Sequence, residues 1–99
     1  MIKQELISIQ TICDSYDVPF SFFEDLRNYE IISLQEEGAI YYIEENTLPQ
    51  VERIMRLHFD LHINMEGIDV IINLLNKIDQ LEKQNNILKN DLQFYRKDE

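Results

Sequence analysis

The sequence predicts a mainly α-helical fold: a small helical domain carrying a β-hairpin wing, then one long C-terminal helix of the coiled-coil kind. Three observations predict it. Helical spacing of apolar residues with a start signal recurs three times in the first 63 residues. Two β-prone runs flank a glycine-containing turn. From Asn64 onward, apolar residues recur at heptad spacing almost to the C-terminus.

Ile9, Ile12, Cys13 and Tyr16 keep helical spacing behind Ser8, an N-cap residue, so a first helix is expected over about residues 8–16. Asp17-Val18-Pro19 ends it, because the residue before a proline avoids helical angles. Ser21 and Glu24 have the Ser-x-x-Glu spacing of a capping box, and Phe22, Phe23, Leu26 and Tyr29 give the second helix its apolar face. Two short helices across a tight turn make a helix-turn-helix unit.

Ile31–Leu34 and Ala39–Ile43 are β-prone, and Gln35-Glu36-Glu37-Gly38 between them is expected to turn. Thr47 and Gln50 suit a second capping box, with Pro49 in the first turn where a missing N–H is harmless. Val51, Ile54, Met55, Leu57, His58 and Leu61 carry that third helix to about His62, and Asn64 is placed to cap the fourth. In the long helix the a positions are Ile71, Ile78, Asn85 and Leu92, and the d positions are Leu74, Leu81, Leu88 and Tyr95. Some 30 helical residues span about 45 Å, whereas a compact chain of this length has a radius of gyration of about 13 Å. Part of the seam therefore needs a cover outside its own domain, and a homodimer is expected. The resulting division is 1–63, an acidic domain, and 64–99, a dimerisation helix.

Charge is placed unevenly. Residues 1–63 hold 12 acidic side chains against 4 basic ones, a net of −8, and residues 64–99 hold 7 against 5, a net of −2. Such a domain repels phosphate backbones and attracts basic protein surfaces. Cys13 is the single cysteine, so no internal disulfide forms, which suits a reducing compartment. No basic stretch followed by an apolar run opens the chain, and no apolar run approaches 18 residues, so a cytoplasmic location without a membrane anchor is expected.

The chain resembles the chaperone modulator CbpM family, within the MerR-like winged helix-turn-helix proteins, along almost its whole length. The residues that carry the likeness are Ile9-Gln10-Thr11-Ile12-Cys13, Phe23-Glu24-Asp25-Leu26, Ile54-Met55-Arg56-Leu57-His58-Phe59-Asp60-Leu61, Met65-Glu66-Gly67-Ile68-Asp69-Val70 and Leu81-Glu82-Lys83-Gln84-Asn85-Asn86-Ile87-Leu88. The RLxxxLxxxxxGI arrangement from Arg56 to Ile68 is the most specific of them. The resemblance implies a modulator of a DnaJ-type, CbpA-like co-chaperone. Such a protein binds the J-domain and denies it to a DnaK-type chaperone. It does not transfer partner-binding residues, because no short motif marks them.

The residues themselves nominate an electrostatic surface: Glu24, Asp25, Glu36, Glu37, Glu44, Glu45, Glu52 and Asp60. Taken singly, each is an ordinary solvated carboxylate; together they can steer a basic partner. Direct DNA reading needs Lys and Arg on the second helix and wing. Here Arg27 stands alone against Glu24, Asp25 and Glu30, and the wing has no base, so nucleic-acid binding is not expected. The alternative class remains a MerR-like DNA-binding transcription regulator, and a third is an adaptor whose helix pairs with another coiled-coil protein.

His58 and His62 share a helical i, i+4 spacing but lack a third ligand and the Glu-x-x of a zinc hydrolase, so no metal is expected. The two glycines, Gly38 and Gly67, make no phosphate loop, and no nucleophile–base constellation is present. Neither an enzyme nor a cofactor is expected. Phe22/Phe23 and Tyr41/Tyr42 are candidate apolar anchors, with at least one of each pair expected in the core. Asn85 interrupts the seam and would select its register. Lys77 opposite Glu82 and Asp91 opposite Arg96 favour a parallel pair, whereas the MerR-like resemblance implies an antiparallel one.

Overall fold

Ser8 has two tasks: it ends a short strand and caps a helix. In the computed structural model, which describes residues 5–97 and side chains as far as Gln93, β1 (Leu6–Ser8) runs directly into α1 (Ile9–Tyr16). The Ser8 Oγ accepts the Thr11 N–H at 3.1 Å, so one orphan donor of the first turn is satisfied. Asp17 stops α1 in the left-handed region, at φ 54°. Then α2 (Phe20–Asn28) starts behind Pro19.

The expected Ser21–Glu24 capping box does not form. The helix begins one residue early, at Phe20, which makes Pro19 the cap and leaves Ser21 inside the first turn. Proline has no side-chain acceptor, so that helix end goes uncapped by a side chain. At the other end Glu30 turns left-handed at φ 57° and the Ile31 N–H reaches back to the Leu26 carbonyl at 2.9 Å, closing the helix in the Schellman manner.

The hairpin is partly displaced from its expected place. Its second strand, β3 (Ile40–Glu44), lies within one residue of the expected Ala39–Ile43, but its first is β2 (Gln35–Glu37) and not Ile31–Leu34. Gly38, at φ 66°, takes the first central position of a two-residue turn, and this fixes Glu37 opposite Ile40. Ile32 is buried instead, in an irregular segment that feeds the core. Turn geometry and burial have overridden the β propensity of Ile31–Leu34. The sheet has three strands in the order β1-β3-β2, all antiparallel, with Leu6 opposite Glu44 and Ser8 opposite Tyr42.

A single 3-10 turn, Glu45–Thr47, leads into α3 (Leu48–Met55). Thr47 is therefore already helical, at φ −82° and ψ −18°, so it cannot adopt the extended backbone that a capping box requires. Its hydroxyl contacts Asn46 instead, and the second expected box is absent. Beyond Met55 the helix widens into a π turn, Arg56–Asp60, closed by the Leu61 N–H on the Arg56 carbonyl at 3.1 Å. His62, at φ 58°, reverses the chain. Asn64 then caps α4 (Met65–Lys97), its Oδ1 accepting the Gly67 N–H at 2.8 Å. A Cβ on residue 67 would lie 2.7 Å from Ile63 Cγ2 and 3.1 Å from that same Asn64 oxygen. Glycine is required there by close approach.

Residues as far as Asp69 form one compact unit and those from Val70 onward a second. In the first, Ile9, Ile12, Phe22, Phe23, Leu26, Ile43, Val51, Ile54 and Ile68 are each buried to within a few per cent, and the core holds no polar or charged residue among those described. In the second, Ile72 is buried and Ile71 and Leu75 are half-buried, while Leu74, Ile78, Leu81, Leu88 and Leu92 stand exposed on the single chain.

Candidate protein-docking surface

The sheet sorts the wing's side chains onto two faces. Successive residues of a strand alternate, and directly opposed residues share a face. Ile43 is fully buried, so the face it shares with Tyr41, Glu36 and Ile7 is the inner one. Ile40, Tyr42, Glu44, Gln35 and Glu37 take the other. Glu44 is half-buried and accepts a hydrogen bond from Gln35 Nε2 at 3.3 Å, tying the two strands together. Glu36 and Glu37 are exposed.

The remaining nominated carboxylates scatter over other elements. Glu24 and Asp25 are exposed on α2, Glu45 on the 3-10 turn and Asp60 at the end of the π turn. Glu52 is half-buried on α3 and accepts the Tyr16 hydroxyl at 3.1 Å. Partial desolvation, with that hydrogen bond and the Glu52 charge behind it, holds the Tyr16 phenol above its ordinary value. A second phenol–carboxylate bond, Tyr29 Oη to Glu66 Oε1 at 2.5 Å, joins the end of α2 to the first turn of α4. It pushes Tyr29 up and Glu66 down. The eight acidic residues thus do not converge on one spot; the wing pair Glu36/Glu37 is what the fold sets beside apolar surface.

That apolar surface is a groove of about 660 Å³ walled by Phe20 at the start of α2, by the β1–α1 junction, and by Ile40, Tyr41 and Tyr42 of β3. Phe20 and Tyr41 have ring centroids 6.2 Å apart, and the Arg27 guanidinium lies 5.4 Å from the Tyr41 ring centroid. Sequence reading did not find this groove. Its available signal was Phe20, an aromatic just after a proline and one step off the expected helix. Of the candidate anchors, Phe22 and Phe23 are both in the core, whereas Tyr41 and Tyr42 are both half-buried and line the groove.

His58 and His62 are separated by the π turn and the reversal at residue 62, which breaks their helical i, i+4 relation. His58 stacks on Phe22 with centroids 5.6 Å apart and donates from Nδ1 to the Ile63 carbonyl at 2.9 Å, so its role is to pack. Among the described residues no group of three His, Cys, Asp or Glu side chains could hold a metal ion. Burial pushes the Cys13 thiol up, which disfavours the reactive thiolate. No described helix is long and apolar enough to cross a membrane.

The helix-turn-helix, the three-stranded wing and the long final helix together match the MerR HTH family of regulatory proteins over residues 7–90. The chain belongs to that family. It is also similar to the chaperone modulatory protein CbpM of Pseudomonas putida, 25% identical over 87 residues, which cover 87% of this chain and 86% of that one. A CbpM of Pseudomonas entomophila is 23% identical over the same shares. These relatives are named as modulatory proteins, not as enzymes. No solved structure matches the chain. The MerR-like fold class and the CbpM resemblance read from the sequence both stand.

The seam positions Ile71, Leu74, Ile78, Leu81, Asn85, Leu88 and Leu92 lie on one uninterrupted helix, and all but the half-buried Ile71 are exposed. The Tyr95 side chain falls outside the described residues. Lys83 and Asp79 form an i, i+4 ion pair at 3.1 Å beside the seam.

Proposed function

We propose that this protein is a non-catalytic modulator of a DnaJ-type, CbpA-like co-chaperone: it binds the J-domain and competes with the DnaK-type chaperone for it. The observation that carries this reading is the likeness to two CbpM proteins along seven-eighths of the chain. The charge distribution supports it. A helix-turn-helix that read DNA would present bases on α2 and the wing, whereas here Arg27 is the lone base on those elements and sits over Tyr41. Acidic residues remain to face a cationic protein surface. The heptad seam of α4 joins two copies, with the acidic domain, residues 1–63, left to engage the partner.

The test is the ATPase of a DnaK-type chaperone stimulated by a J-domain co-chaperone. Adding this protein should suppress the stimulated rate but not the basal one, and excess isolated J-domain should restore it. An unchanged stimulated rate, together with a firm gel shift of duplex DNA at physiological salt, would replace this reading with the transcription-regulator alternative.

A further inference from the structure

The groove beside the wing combines three features that together select an occupant. Its centre is apolar and open: Ile40 is 50% exposed and Phe20 is 39% exposed, in a unit whose other large apolar side chains are mostly inside. Its rim is anionic. Glu37 stands directly opposite Ile40 and, with the half-buried Glu44, leaves the sheet on the same face as Ile40 and Tyr42, whereas Glu36, opposite Tyr41, leaves on the other face. Its aromatic wall already holds one cation of the chain itself, the Arg27 guanidinium, 5.4 Å from the Tyr41 centroid.

An apolar centre with a charged rim is the anatomy of a protein interface. Lys and Arg suit this one in particular: their stems lie along apolar surface while the heads reach carboxylates at the edge. Strand addition is a poor fit, because both edge strands, β1 and β2, are only three residues long and β2 carries two glutamates. A second copy of the chain would bring its own net charge of −10 to the same rim.

We propose that this groove receives the apolar side of a cationic amphipathic helix, with Ile40, Phe20 and Tyr42 taking its aliphatic residues and Glu37, on the same sheet face as Ile40 and Tyr42, taking a Lys or Arg head. The proposal deepens the co-chaperone reading and rests on it for the identity of the partner. The acidic residues far from the groove, Glu45 and Asp60 among them, contribute only long-range attraction.

The experiment titrates the full-length protein with a purified J-domain by calorimetry, and separately with a synthetic Lys/Leu amphipathic peptide while amide shifts are followed by NMR. Ile40→Ser and Glu37→Lys should each weaken J-domain binding by about tenfold, the scale set by one lost anchor or one reversed charge pair. Glu45→Lys, with the same change in net charge, should weaken it by less than about threefold. Peptide-induced shifts should centre on Phe20 and Ile40–Tyr42, and a Glu/Leu peptide of the same length should cause none. If the wild type binds the J-domain and both groove variants bind it equally well, the groove assignment is overturned while the co-chaperone reading survives. If the wild type ignores the J-domain but the cationic peptide still shifts the groove residues, the partner is wrong and the groove stands. Equal binding of the two peptides overturns the charge argument and, with it, the proposed occupant.

Discussion

Replacing Leu81 with aspartate tests the seam at its most central d position. Leu81 is 62% exposed on the single chain, so most of its surface is available for a partner to cover. Full burial of a leucine is worth roughly 1.5–3 kcal/mol. Scaled by that exposed share, a dimer gains about 1–2 kcal/mol at this position from each chain. Losing it from both chains removes about 2–4 kcal/mol, which corresponds to a dimer weakened roughly 30- to 1,000-fold. Two aspartates brought to the seam add desolvation and repulsion in the same direction. Sedimentation equilibrium over a range of concentrations measures the change, and circular dichroism verifies that the helix persists. Gln80→Asp, one residue away at an exposed c position, is the matched control and should leave the dimer intact. A Leu81→Asp protein that dimerises as tightly as the wild type would refute the seam, as would a wild-type chain that stays monomeric at high micromolar concentration.

Three further outcomes follow from particular contacts. Gly67→Ala should destabilise by about 1 kcal/mol despite alanine's better helix propensity, because the new methyl meets Ile63 Cγ2 at 2.7 Å; the melting midpoint of the domain should fall by roughly 4–8 °C. Glu66 has a depressed folded pKa through the Tyr29 hydrogen bond, so its contribution is present above the ordinary carboxylate range and lost as pH falls through the folded value. An NMR titration should find Glu66 below that range in the wild type and moved upward in Tyr29→Phe; an unmoved Glu66 would discard the bond as its cause. Binding of a J-domain should weaken steeply between low and moderate salt, and affinity indifferent to salt would remove electrostatic steering from the account.

Much of the fold was legible because local signals and burial agreed. Ser8 and Asn64 were readable as caps, and both side chains accept the N–H three residues on. The Ser21 and Thr47 boxes had equally good residue spacing and failed for reasons outside their own four residues. Pro19 started α2 early, and a 3-10 turn delivered Thr47 already helical. The hairpin register was set by one backbone angle at Gly38, which outweighed four β-prone residues. β1 went unread because Leu6-Ile7-Ser8 is too short to show alternation and becomes a strand only by pairing with β3. The candidate surface was legible in charge and illegible in place. Composition found the acidic excess, but only strand pairing sets Glu36 and Glu37 beside Tyr41 and Ile40.

Reuse of a DNA-reading architecture for protein docking requires no new fold, only a change in what the α2–wing face presents. In a nucleic-acid reader the bases on that face are free to meet phosphates. Here Arg27 is turned onto an aromatic ring of the same chain, and the nearest exposed charges on the wing are carboxylates. The scaffold tolerates the exchange because the core that positions the face is wholly apolar among its described residues, so no buried ion or polar network depends on which surface charges surround it. A sign change spread over exposed positions costs little in folding, since isolated surface charges contribute within about 1 kcal/mol each. On the proposed function it also inverts the class of partner the face attracts. The fold and the charge of this chain therefore carry separate information: the first identifies the lineage of the surface, and the second favours the partner that it meets.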